Sequence, residues 1–452
     1  MKIFDASIKI IKDSRGKDTL EAKLYTDSHG LENRLTRISV SASAPSGKSR
    51  GAHEAFVLEP KMAVEKFEEI KSKILEKDFS SQEEFDNFLI SLDGTPNKGN
   101  LGGNLTLVLS LAFARLKAKN ENKELFQYIK EILNLKSQIS NLPRPFFNVI
   151  NGGAHATHPK SKLDFQEFQI IPDTQDFRMA LDLGQEFYRK LREFLENKFG
   201  KENVMLGDEA GFSCPFKSNE EAIEILADLI VKYSYPLKIG LDAAATQFYK
   251  LQTTNDKQGG VYVLGGKECS AEELNNFYLK IIEAYGVSSI EDPFYEEAFD
   301  SFASLTALTN TDYTRTNAES SPQKSVLSQY KSVLVITDDL TTTDFERLKT
   351  AIEKKSGNAI LIKPNQIGTL TETINVIKLA YENNWQAVVS HRSGETMDNF
   401  IADLAVGIRA FGIKAGAPSA SERMAKYQRM LEIQNVNIKM KKFINETPSE
   451  LK

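Results

Sequence analysis

The stretch AILIKPN (359–365) sets four apolar residues in a row and then gives the next position to a lysine. So short an apolar run, ended by a proline, reads as a buried strand that stops at the lysine. The pattern recurs along the chain. NVMLGDE (203–209), LKIGLDA (237–243), VSSIEDP (287–293), VLVITDD (333–339), AVVSHRS (387–393) and GIKAGAP (412–418) each couple an apolar run to a titratable residue. Those residues are Glu209, Asp242, Glu291, Asp338, His391 and Lys414, with Lys363 completing the set. The segments between have helical spacing and open on Ser/Thr-x-x-Glu capping boxes: Ser218 with Glu221, Ser270 with Glu273, Thr343 with Glu346, Thr369 with Glu372 and Ser419 with Glu422. Short buried strands joined by helices imply a closed parallel β/α barrel of the TIM type. Ahead of them, FFNVING (146–152) and DFQEFQIIP (164–172) are separated by only eleven residues, too few for a helical crossover, so this first strand pair is expected to be antiparallel.

The first third has a different rhythm. TLEAKLYT (19–26) and LENRLTRISVSA (31–42) flank a turn and read as a hairpin, followed by helical spacing over 61–77, 81–92 and 104–118. The last of these is apolar nearly all round and is expected to be buried. The division is a smaller α+β capping domain over 1–138 and a barrel over 139–452, with polar excursions at 250–268 and 309–331. The fold class is thus α/β. A net charge of −5 argues against a nucleic-acid partner, and no run is long enough for a membrane span. The first residues mix charge into their apolar positions, unlike a secretory leader, and the two cysteines have no ligand spacing, so a cytoplasmic protein is expected.

In a TIM-type barrel, catalytic groups project from one end of the strands. Asp242, Glu291 and Asp338 come from consecutive strands and offer hard oxygen ligands, suited to Mg²⁺ rather than zinc. Two later strands set Lys363 and Lys414 opposite them. That pairing fits removal of a proton from carbon beside a carboxylate, with a divalent ion on the oxygens and a lysine made neutral by neighbouring cations.

Long motifs carry a family resemblance. VINGGAHA (149–156), FQEFQIIP (165–172), GDEAGF (207–212), IEDPF (290–294), DDLTTT (338–343), IKPNQIGTL (362–370), SHRSGET (390–396), IKAGAP (413–418) and SERMAKY (421–427) resemble enolase, of a bacterial and somewhat divergent kind. The resemblance implies reversible dehydration of 2-phospho-D-glycerate to phosphoenolpyruvate in glycolysis. It gives Lys363 the C2 proton, and gives Glu209, beside Glu167, the departing C3 hydroxyl. Asp242, Glu291 and Asp338 would hold one Mg²⁺, and Ser49 in the loop PSGKSRG (45–51) would ligate a second. Arg392 and Ser393 would grip the phosphate and Lys414 the substrate carboxylate, with His155, Gln166 and His391 lining the site. A homo-oligomer, dimer or octamer, is also implied.

The chain departs from the family pattern at Lys48, Arg50, Ala210, Thr246, Met397 and Glu432. Ala210 would be strained if its position requires φ > 0. A second reading, from a different class, is a weakly active or inactive paralogue displayed at the cell surface as a plasminogen binder. A third, another acid dehydratase or racemase of the superfamily, leaves the phosphate-gripping HRSGE segment unexplained. Of the five histidines, His29 and His158 are expected at the surface and His53 in a structural hydrogen bond. Trp385 is expected to serve packing.

Overall fold

The computed structural model describes residues 1–29, 35–47, 51, 53–135, 141–254, 257–310 and 333–446. Ser49, Lys48 and Arg50 lie outside them, as does most of the 309–331 excursion, and the His29 side chain is likewise not described. The chain begins with an antiparallel sheet of β1 (Asp5–Lys12), β2 (Asp18–His29) and β3 (Leu35–Ser43), in that order. β2 and β3 are the expected hairpin. β1 was not foreseen, because DASIKIIK scatters charge among its apolar residues and buries only Ala6 fully.

Four helices follow: α1 (Pro60–Glu76), α2 (Gln82–Asp93), α3 (Gly103–Asn120) and α4 (Leu125–Ile132). α3 is the helix expected to be buried, and it is, with Leu105, Leu109 and Phe113 fully enclosed. It packs on β2 and β3 on one side. On the other it joins the barrel, where Thr106 Oγ1 donates to Gly368 O at 2.9 Å and Ser110 Oγ accepts from Leu370 N at 2.9 Å.

The barrel is made of β4 (Arg144–Asn151), β5 (Glu167–Pro172), β8 (Leu237–Asp242), β12 (Val287–Glu291), β13 (Leu334–Thr337), β14 (Ala359–Ile362), β15 (Gln386–Ser390) and β16 (Gly412–Lys414). β16 pairs back onto β4 and closes the ring. β5 alone runs against its neighbours, antiparallel to both β4 and β8, while the remaining pairs are parallel. NVMLGDE is not a barrel strand. It contributes only β6 (Met205–Leu206), which forms a short hairpin with β7 (Phe212–Ser213) on the outer side of β4. The 250–268 excursion folds into its own antiparallel sheet, β9 (Tyr249–Thr254), β10 (Lys257–Leu264) and β11 (Lys267–Cys269).

Three of the expected capping boxes have their cap residue in place, at Ser218, Ser270 and Thr369. The other two shift. Asp344 rather than Thr343 caps the helix Phe345–Lys354, since Thr343 Oγ1 is engaged by Gln366 Oε1 at 2.7 Å and by Lys363 N at 3.0 Å. The last helix begins at Ser421, two residues beyond Ser419.

The period of two along a strand explains how the barrel arms its mouth. Phe146, Ile171, Ile336, Ala359, Leu361 and Val388 form a separate apolar cluster. Continuing each row by alternate residues leads from Phe146 to Asn148, from Ile171 through Gln169 to Glu167, from Ile336 to Asp338 and from Leu361 to Lys363. An apolar plug thus supports a polar layer, and above it stand the titratable groups. Because β5 is reversed, its first residue reaches the same mouth, and Glu167 pairs in register with Asp242 at the end of β8.

The small domain leans on that mouth. Ser46 and Gly394 exchange backbone hydrogen bonds at 2.7 and 2.9 Å. A side chain at Gly394 would meet Asp13 Oδ2 and Ser46 Oγ at 2.3 and 2.4 Å, so only glycine admits this approach. Arg115 forks onto Asp398 Oδ2 and Oδ1 at 2.6 and 2.8 Å from the other side of the joint.

Candidate active site

The mouth is an open cavity. Nearly all the residues singled out in the sequence line it, including Glu209, Asp242, Asp338, Lys363, Arg392 and Lys414. Glu291 lies alongside, bonded to Lys414.

Lys414 Nζ sits among three carboxylates, 2.9 Å from Glu291, 3.1 Å from Asp242 and 3.2 Å from Glu167. Burial alone would lower its pKa, but the charges of Asp242, Glu167 and Glu291 hold it well above the ordinary lysine range. Lys363 Nζ pairs with Asp338 Oδ2, whose other oxygen accepts from Gln366 Nε2 at 3.0 Å. Burial lowers this lysine's pKa too, and Asp338 outweighs it, so the net shift is upward. Arg392 and Lys414 act in the expected direction, toward the neutral amine, but Asp338 outweighs them; a divalent ion held by Asp338 would take that carboxylate's charge away from the lysine. The neighbour that decides its charge is a carboxylate.

Glu167 and Glu209 form the second centre. His155 Nδ1 stands 3.8 Å from Glu209 Oε1 and 4.0 Å from Glu167 Oε1. Glu209 Oε2 accepts from Asn148 Nδ2 at 3.0 Å and lies 3.3 Å from His391 Nε2. Burial and the charge of Glu209 push Glu167 well above the usual carboxylate range. Burial would do the same to Glu209, but His391, His155 and Arg423 hold it well below. The two carboxyls are thereby driven apart, with the proton on Glu167, a pattern that marks acid–base pairs. Glu209 reaches this place from the tight loop between β6 and β7, not from a strand end.

The next residue in that loop confirms the anticipated strain, for Ala210 adopts φ 63°. A left-handed alanine costs about 1–2 kcal/mol, part of which a glycine loses again as extra freedom in the unfolded chain. Ala210→Gly is expected to raise stability by about 1 kcal/mol, read as a higher urea midpoint at unchanged slope.

Arg392, expected to grip phosphate, forks onto Glu54 at 3.0 and 3.2 Å, both side chains being buried. Its neighbour Ser393 is buried beside it. Gln166 Nε2 donates to Asp242 Oδ2 at 3.2 Å and its Oε1 accepts from Gln247 at 2.9 Å. His53 bonds Glu297 at 3.0 Å, the structural role expected of it. His158, expected at the surface, is buried, with its Nδ1 accepting from Lys160 N at 3.2 Å. Trp385 is buried in the core.

Burial pulls His391 down to a pKa of about 4, so the imidazole is neutral in the folded state. The unfolded chain takes up its proton near pH 6.5. Between pH 6.5 and 4 the unfolded state therefore binds more protons, and stability falls as pH falls, by about 2–3 kcal/mol from this residue. His391→Gln is expected to flatten the fall in denaturation midpoint across that window.

Asp242, Glu291 and Asp338 fit a hard divalent cation in donor chemistry, since all offer buried carboxylate oxygens and no sulfur lies among them. Their oxygens are not gathered at one point, since Lys414 Nζ stands on Asp242 and Glu291 while Lys363 pairs with Asp338. The clusters with ligand atoms within 4.8 Å of one another among the described residues are Asp292 with Asp338 and Asp339, and His155 with Glu167 and Glu209. Asp338 thus stands at the meeting point of two acidic groups. Ser49 cannot be placed, being outside the described residues.

Glu54, Asn148, Asp292 and Arg423 were not singled out from the sequence. Arg423 was visible in SERMAKY, yet nothing local assigns it a partner. The others act on groups far away in the chain, and no spacing rule reports that.

A capped β/α barrel that sets carboxylates and two lysines around one cavity is the class of enzyme equipped to take a proton from carbon beside a carboxylate. The comparisons narrow this. Residues 3–129 match the family model described as "Enolase, N-terminal domain", and 139–445 match "Enolase, C-terminal TIM barrel domain". The chain is 38% identical to Enolase of Methanocaldococcus jannaschii over 447 residues, 96% of this chain and 95% of that one. It is 39% identical to Enolase of Sulfurisphaera tokodaii over 435 residues, 94% of each. It is also 38% identical to Enolase B of Dictyostelium discoideum over 453 residues, 96% of this chain and 95% of that one. The chain belongs to the enolase family, and its activity is that of a phosphopyruvate hydratase.

Proposed function

We propose that the chain performs the enolase reaction through a division of labour across the barrel. Counting round the ring from β5, four steps through β8, β12 and β13 lead to β14. Glu167 and Lys363 therefore stand on strands diametrically opposed in an eight-stranded ring. That placement carries the reading. A substrate lying between them presents its C2 proton to Lys363 and its C3 hydroxyl to the Glu167–Glu209 pair, on opposite faces.

Lys363, neutral once Asp338's charge is taken up by the cation it would hold, takes the C2 proton as general base. Glu209, oriented by Asn148, accepts the hydrogen bond of the C3 hydroxyl, and the proton held by Glu167 leaves with it as water. Lys414, Nζ centred in its carboxylate nest, shifts its hydrogen bonds to the substrate carboxylate. Arg392 and Ser393 receive the phosphate, a ligand matched to a guanidinium fork. His155, Gln166 and His391 complete the lining. Asp242, Glu291 and Asp338 would hold one Mg²⁺ and Ser49 would contribute to a second. Bound there, the ions supply positive charge to the dianion that forms when C2 loses its proton. A cytoplasmic homo-oligomer, dimer or octamer, is the state this reading carries with it. No helix among the described residues is long and apolar enough to cross a membrane. No observation favours the plasminogen-binding alternative.

The test is phosphoenolpyruvate formation from 2-phosphoglycerate, followed by ultraviolet absorbance. Turnover is expected with Mg²⁺, to vanish with chelator and to return on adding Mg²⁺ back. Absence of turnover by the folded, Mg²⁺-loaded protein would overturn the reading.

A further inference from the structure

Arg423 is wholly buried, the largest side chain among the described residues to be so. Its guanidinium spends four hydrogen bonds at one place. Nη1 donates to His391 Nδ1 at 2.5 Å and to Arg392 O at 2.8 Å, and Nη2 donates to Ser393 O at 2.8 Å and Asp208 O at 3.1 Å. Three of these tie the loop 391–393 to the loop that carries Glu209. The fourth has chemical content. A guanidinium is always protonated and has no acceptor, so the ring nitrogen facing it must be a lone pair. With Nδ1 accepting, a neutral imidazole carries its hydrogen on Nε2, and Nε2 is the atom 3.3 Å from Glu209 Oε2. The reverse tautomer would set N–H against N–H on one side and a lone pair against a carboxylate on the other. A doubly protonated ring would place a cation against the guanidinium. The backbone makes room for this contact: Gly416, at φ +83°, has no Cβ, and one there would come within 3.0 Å of Arg423 Cδ and 3.2 Å of His391 Cε1.

We propose that Arg423 is a positioning residue that fixes His391 as the neutral Nε2–H tautomer, so that the imidazole turns its N–H toward Glu209, 3.3 Å away, and sets that carboxylate's orientation toward the substrate. The role of Glu209 rests on the function proposed above, whereas the tautomer does not. Arg423 touches neither substrate nor reacting atoms. It acts through His391 and, by its carbonyl bonds, through the backbone of the phosphate-gripping pair.

The decisive readout is the imidazole itself. With only five histidines in the chain, ¹⁵N-histidine labelling gives a long-range ¹H–¹⁵N spectrum in which the His391 signals are those lost in His391→Gln. Wild type at pH 7 is expected to show His391 protonated at Nε2 and an acceptor at Nδ1. In Arg423→Met the fixed tautomer is expected to give way to a mixture, and kcat to fall about tenfold or more. Arg423→Lys, which keeps one donor, is expected to recover part of both. A wild-type His391 protonated at Nδ1, or at both nitrogens, would overturn the proposal. So would a folded Arg423→Met that keeps a pure Nε2–H ring. If Arg423→Met fails to fold by circular dichroism, the wild-type spectrum and Arg423→Lys still decide. A wild type with the expected spectrum but no turnover would sink the functional reading and leave the tautomer assignment standing.

Discussion

Lys363→Ala is expected to lower turnover by about 10⁴-fold, the upper end of what a positioned general base supplies. The strand beneath will not notice the change, because Ala359, Leu361 and Ile362 are fully buried in contacts that the lysine does not make. Asp338 keeps its hydrogen bond from Gln366 at 3.0 Å and loses only its ammonium partner. Affinity for Mg²⁺ should therefore hold or tighten. The sharper reading comes from deuterium. In D₂O the wild type is expected to exchange the C2 hydrogen of 2-phosphoglycerate, followed by proton NMR, and the variant is not. Exchange that persists without Lys363 would remove it from the role of base.

Glu209→Gln is expected to lower turnover by about 10³-fold while leaving C2 exchange running. Its work lies across the barrel from Lys363, so the two halves of the reaction come apart on different residues. Asn148 and His391 both face Glu209 Oε2, so the amide oxygen of glutamine placed there keeps both contacts, but the charge that keeps the proton on Glu167 is gone. If exchange and elimination fell together by the same factor, the proposed division between the two centres would be wrong. Equal loss in the Lys363 variant, with exchange retained in Glu209→Gln, is the outcome that separates the roles.

Much of this was readable because the barrel mouth obeys the arithmetic of strands. Asp338 and Lys363 each stand two residues beyond an inward apolar residue, Ile336 and Leu361, so the period that buries the plug also aims the proposed ligand and the proposed base. The short gap between 152 and 164 reported the reversed strand by loop length alone. Glu209 was read as a strand end and is not one, since a two-residue β6 and an apolar barrel strand look alike over so few residues. β1 escaped because a sheet exposed on one face has too few buried positions to show a pattern. The ion pair of Glu54 with Arg392 spans 338 residues of chain, and a partner that distant leaves no trace in spacing. Ala210 was the reverse case, a local misfit legible from one residue once the backbone at that point was in question.

The bond between Glu54 and Arg392 has a bearing on how harm to this protein should be recognised. A carboxylate from the first domain already occupies the fork proposed to receive the substrate's phosphate, and Gly394 beneath it leaves no space between the two domains. A missense change near residue 13, 46 or 54 thus lands in the catalytic apparatus although it lies hundreds of positions from the base. Such alleles should combine a lowered melting point, because each strips a partner from a buried contact, with a raised KM. A survey that ranked variants by distance along the chain would pass them as silent.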